Sequence, residues 1–175
     1  MKSLRLHPQS APGSIKRIEA MVEPTPTGCR AEFVITGDIA RITVPAINAD
    51  RGRYDDLWRT TCFEIFWQPV GQAGYREFNL SPSTLWACYD FDDFRVGMRN
   101  APAEVQIDVA VSAGQLQLTA VIEASLPLPA TVALNAIIED HDGVNRFWAL
   151  DFPDGKPEFH DVACRAFLLP KGQAA

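Results

Sequence analysis

The 175-residue sequence predicts an all-β fold, a single antiparallel two-sheet β-sandwich. Three observations point there. Apolar residues recur at every second position in run after run, and no stretch sustains a 3.6-residue period for several turns. The 13 Pro and 11 Gly fall mostly between those runs, where turns belong. No repeat, low-complexity tract or linker divides the chain, so residues 1–175 read as one domain.

The clearest local pattern is a β-hairpin. From Glu104, residues Val105, Ile107, Val109 and Val111 share one face, with Gln106 and Asp108 opposite. After Ala113 and Gly114 the alternation resumes with Leu116, Leu118, Ala120 and Ile122 inward, over residues 115–124. Further strands are expected at 4–7, 18–23, 31–36, 39–44, 62–67, 75–80, 85–91, 131–139, 145–151 and 166–169. A short helical turn is expected at 54–58, with Asp55 and Asp56 in its first turn.

Composition excludes several classes of function. A net charge of −6 argues against nucleic acid, whose phosphates require a basic face. No run approaches the roughly 18 apolar residues of a membrane span. The N-terminal MKSLRLHPQSAPGS lacks the apolar core of a signal peptide, so the expected location is cytoplasmic. Cys29, Cys62, Cys88 and Cys164 show no metal-type spacing and read as small buried hydrophobes of a reducing compartment.

The aromatic side chains are unevenly placed. Only Phe33 precedes Tyr54, whereas most of the rest fall between Tyr54 and Phe94. In residues 62–67, alternation groups Phe63, Ile65 and Trp67 on one side and Cys62, Glu64 and Phe66 on the other. In residues 75–80, Phe78 and Leu80 face the core while Tyr75, Glu77 and Asn79 face away. If the two strands pair, Glu64, Glu77 and Asn79 form a polar face bordered by Tyr75 and Phe66. Rings beside carboxylates and amides suit a sugar, whose C–H faces stack and whose hydroxyls hydrogen-bond. An ordinary solvated sheet face with cross-strand pairs is the other reading of the same alternation.

The runs YREFNLSPSTLWACYDFDDFRVGM from Tyr75 and NRFWALDFPDGKPEFHD from Asn145 resemble a bacterial branch of the DOMON-like domains. That group is similar in fold to carbohydrate-binding module family nine and to the haem-binding DOMON domains. The resemblance, over roughly residues 4–169, implies a jelly-roll-type sandwich with a ligand site on a concave sheet. Sugar-binding relatives clamp their ligand between two Trp, one six positions before a strand Glu and one three after an Asn. The resemblance therefore implies stacking by Trp58 and Trp148 and hydrogen bonding by Glu64 and Asn145. It offers Arg76 and Asn79, or Glu77, for the strand between, and leaves Trp86 open between site and core.

Other chemistry was weighed against this. Glu64 and Glu77 admit an acid/base pair for glycoside hydrolysis. His7, His141 and His160 lack zinc-site spacing, and Ser81 with His160 lacks a G-x-S-x-G elbow. The Asp140–Asn145 run has a calcium-loop flavour, but Asp142-Gly143 reads more simply as a hairpin turn. Met98 with His141 or His160 is the candidate axial pair for haem. Arg95 is expected to pair with the neighbouring Asp90, Asp92 and Asp93. The reading is a non-catalytic module binding a small saccharide, with no cofactor. A haem domain, or a face covered by a protein partner or a second copy, is the alternative.

Overall fold

A computed structural model describes residues 1–171. Twelve strands make up the fold: β1 (Lys2–Leu6), β2 (Ile15–Thr25), β3 (Gly28–Gly37), β4 (Cys62–Pro69), β5 (Tyr75–Leu80) and β6 (Trp86–Phe91) come first. Then follow β7 (Arg99–Asn100), β8 (Glu104–Val111), β9 (Gln115–Glu123), β10 (Ala130–Glu139), β11 (Asn145–Ala149) and β12 (Phe167–Leu169). All named pairings are antiparallel. The all-β antiparallel class is therefore as the alternation predicts.

The layering differs from the expected pair of separate sheets. The strands follow one hydrogen-bonded path, β7-β6-β5-β4-β10-β11-β1-β2-β3-β9-β8, with β12 added beside β10. Strand β1 is the reason. Its first half pairs with β2 through Lys2, Ser3 and Leu4, and its second half pairs with β11 through Arg5 and Leu6. One strand that changes partner midway joins the two halves into a single curled sheet. The halves still enclose one core, in which Ile18, Phe33 and Leu118 of one meet Phe63, Phe78 and Leu134 of the other. Phe33 and Phe63 mark the contact, with ring centroids 4.9 Å apart.

The hairpin of β8 and β9 forms as its alternation dictates, with Leu116, Leu118, Ala120 and Ile122 fully buried. Residues 39–44 are not a strand. Ile39–Arg41 forms a 3-10 turn, held by Arg41 N–H to Asp38 O and Ile42 N–H to Ile39 O, and only Ile42 keeps a bridge, to Asp140. The turn expected at 54–58 lies at Leu57–Arg59, after Asp56, whose φ of 62° is left-handed. Strand β7 had no period-2 signal, being two residues long. All four cysteines are buried and free. Among the described residues no helix is long and apolar enough to cross a membrane.

The run 140–145 closes the β10–β11 hairpin, with Gly143 at φ 76° donating its N–H to Asp140 O. Its acidic side chains hold the buried Arg146, which lies 2.5 Å from Asp140 and 2.9 Å from Asp142. The calcium-loop reading thus meets an arginine where a cation would sit.

Strands β4 and β10 are central, and this positions the site. One face of β4, Phe63, Ile65 and Trp67, enters the core between the halves. The other, Cys62, Glu64 and Phe66, faces outward beneath the segment linking β11 to β12, which brings Phe159 and Cys164 over it.

Candidate functional site

Register builds the site. Across β10, β4 and β5, Asn135 stands opposite Glu64, and Glu64 opposite Asn79. Glu77 stands opposite Phe66, one pleat along, which makes it a diagonal same-face neighbour of Glu64. Tyr89 and Phe91 of β6 and Phe147 of β11 extend the face. Pro157, Phe159 and His160 close it from above, and Trp58 and Met98 stand at the mouth. The result is a cavity of about 760 Å³, within the size range of small-molecule sites.

Glu64 lies on its wall and is 3% exposed. Among the described residues no side-chain or backbone donor bonds its carboxylate. Burial raises its proton affinity well above the ordinary carboxylate range, and the charge of Glu77 adds to this. Glu77 is pushed up to about 7, again chiefly by burial, although Asn79 donates to it at 2.6 Å. Beside Glu64, the Asn135 amide is fully buried with neither its oxygen nor its nitrogen partnered.

A relay of hydrogen bonds fixes the opposite side. Arg95 N–H donates to the Tyr75 oxygen at 3.2 Å, and that oxygen lies 2.7 Å from His160 Nδ1. With the Tyr75 hydroxyl donating to Nδ1, the imidazole proton sits on Nε2, which faces Glu77 Oε2 at 3.7 Å. Burial, then the nearby Arg95, lowers His160 to about 4, so the ring is neutral at pH 7. The Arg95 guanidinium grips Glu158 with two bonds of 2.9 and 3.0 Å, and Glu158 also accepts the His160 N–H. Tyr75 stacks on Phe91 with centroids 4.8 Å apart, and Arg165 covers its ring at 4.3 Å.

The residues singled out in the sequence divide accordingly. Glu64 and Glu77 lie on the cavity wall, Asn79 braces Glu77, and Trp58 stands at the rim, 46% exposed. Tyr75 stands behind His160 rather than on the wall. Arg76 points to the other face, where it binds Asp90 at 2.7 and 2.9 Å. Trp86, opposite Leu80, packs in the core. Asn145 reaches only the Arg59 carbonyl, at 3.4 Å. Trp148 is 6% exposed within the core between the halves, its indole N–H without a partner. A two-Trp clamp is therefore not assembled: Trp58 and Trp148 sit on opposite sides of the sheet.

The structure brings to the cavity groups outside the implied saccharide-binding set. His160 and Phe159 come from a segment without periodicity, and no local signal marks them. Arg95 pairs with Glu158, not the neighbouring acidic cluster, in which Asp90 is held by Arg76, Asp92 by Arg99, and Asp93 accepts the Phe94 N–H. Tyr89 lines the cavity with its hydroxyl on Asp55, at 2.5 Å. Of the candidate haem ligands, Met98 and His160 border the cavity, whereas His141 lies on the β10–β11 turn. Tyr75 engages Nδ1 of His160, and its Nε2 faces the Glu77 carboxyl.

No family model and no curated protein matches this sequence. The fold does have a solved counterpart. A crystal structure from Bacteroides uniformis, described as that of "a putative carbohydrate-binding protein", superposes with a TM-score of 0.65. The match is 16% identical and covers 95% of this chain and 83% of that one. At that identity the chain is similar to it in fold.

Proposed function

We propose that the protein is a non-catalytic binding module whose cavity takes a small polar ligand of the saccharide class. One observation carries the reading: a buried Glu64 carboxylate without a donor faces an aromatic-walled cavity of about 760 Å³. A carboxyl that reaches the cavity without a protein partner is free to hydrogen-bond a ligand hydroxyl. Glu77 and Asn79 offer further polar contacts, and Tyr89, Phe147 and Phe159 offer ring faces for sugar C–H groups. Trp58 at the rim is the one stacking residue kept from the two-Trp arrangement.

Two further points support the reading. The fold counterpart bears a carbohydrate-binding description. The resemblance to DOMON-like domains and carbohydrate-binding module family nine also implies a ligand site on a sheet face.

Titration calorimetry against mono- and disaccharides tests the proposal. Saturable binding that weakens about tenfold or more in Glu64→Gln and in Trp58→Ala is expected. Absence of binding across the panel overturns it. A second reading, acid/base catalysis, is favoured by two carboxyls of raised proton affinity in one cavity. Glycoside turnover abolished in both Glu64→Gln and Glu77→Gln would replace binding with catalysis.

A further inference from the structure

The charges lining the cavity are out of balance. Glu64 and Glu77 stand on one wall, and Asp55 and Asp56 at the turn near the mouth. The two guanidinium groups that border it are already engaged, Arg95 by Glu158 and Arg99 by Asp92. Asp56 has Arg59 at 3.4 Å, and Asp55 takes the Tyr89 hydroxyl. Deeper in, the partners are neutral: Asn79 and the uncharged His160 face Glu77, and nothing bonds Glu64.

A hydroxyl offers such a pair only a dipole. An ammonium group offers three N–H donors and a full positive charge in a site shielded from water. The rings of Tyr89, Phe91, Phe147 and Phe159 favour a cation as well, through their negative faces. We propose that the ligand carries a protonated amine on a polar body of saccharide size, an amino sugar above all, with the ammonium seated against Glu64. This inference rests on the cavity's being the saccharide site and names the class of saccharide.

A proton balance follows. Burial favours the protonated form of Glu64 and Glu77, and an ammonium seated there favours the ionised form, so protons leave to the solvent as it binds. The groups facing them are Arg95 and Tyr89 from β6 and its following loop, Asp55 and Asp56 before β4, and Glu158 and His160 before β12. Arg95 lowers the proton affinity of both carboxyls, but burial outweighs it, so amine affinity rises with pH while the amine stays protonated.

The test is calorimetry on the full chain with glucosamine and galactosamine, their N-acetyl forms, and glucose and galactose. The free amines are expected to bind about tenfold tighter than either counterpart. The advantage should grow several-fold from about pH 5.5 to about pH 7, with a proton released to buffer, and vanish in Glu64→Gln. Should that variant melt early, the pH dependence of the wild type and the Glu77→Gln variant carry the same test. Equal or tighter binding of the N-acetyl and neutral sugars overturns the amine while leaving a saccharide site. Binding of no sugar overturns both.

Discussion

The Tyr75 hydroxyl lies 2.7 Å from His160 Nδ1, and that contact decides which way the imidazole proton points. A Tyr75 hydroxyl that accepts from Arg95 N–H and donates to Nδ1 leaves the ring's proton on Nε2, toward Glu77. Nitrogen NMR of the histidine rings is expected to show the Nε2–H form at His160 at pH 7. Tyr75→Phe should mix the two tautomers and cost about 1–3 kcal/mol, since it strands a buried acceptor and donor. A wild-type ring protonated on Nδ1 contradicts this relay.

Stability should depend on pH through two opposed groups. Burial raises Glu77 to about 7 from 4.5, so between those values the folded state keeps a proton that the unfolded chain has released. Stability therefore falls as pH rises through that window and stays lower above it. His160 acts in the other direction: held at about 4 rather than 6.5, it loses stability as pH falls between those values. Glu77→Gln should match the wild type in urea melts at about pH 4 and exceed it by roughly 1–3 kcal/mol at about pH 8. Equal gain at both values contradicts the assignment.

The two tryptophans of the implied clamp should separate cleanly. Trp148→Ala opens a void between the sheet halves and should cost about 3–5 kcal/mol. Trp58→Ala removes a half-exposed ring at the mouth and should leave the melting temperature within about a degree or two while weakening ligand binding. Thermal melts of both variants beside a sugar titration check this. Loss of stability in the Trp58 variant with none in the Trp148 variant contradicts the placement.

Parity explains why the clamp was legible as spacing and absent as geometry. In a strand, residues three apart face opposite sides, so Asn145 and Trp148 of β11 do not share one. The same rule sends Arg76 away from Glu77. Where parity alone was used, in β4 and β5, it placed Glu64, Glu77 and Asn79 together as they are found. What alternation does not carry is which distant strands meet. The partner change in β1 and the Tyr75–His160 contact, 85 residues apart in sequence, depend on long-range packing. Arg95 likewise meets Glu158, 63 residues away in sequence, while Asp90 and Asp92 are held by other arginines and Asp93 by the Phe94 N–H. Even the unpartnered Glu64 depends on what the segment before β12 covers, and no local pattern shows it.

The central claim is that the cavity over Glu64 holds the ligand. The most direct measurement is a titration of isotope-labelled protein with the sugar panel, followed by amide NMR. Shifts should concentrate in β4, β5 and the 157–160 segment, saturate, and disappear in Glu64→Gln. Shifts confined to other surfaces, or unchanged in that variant, would contradict it.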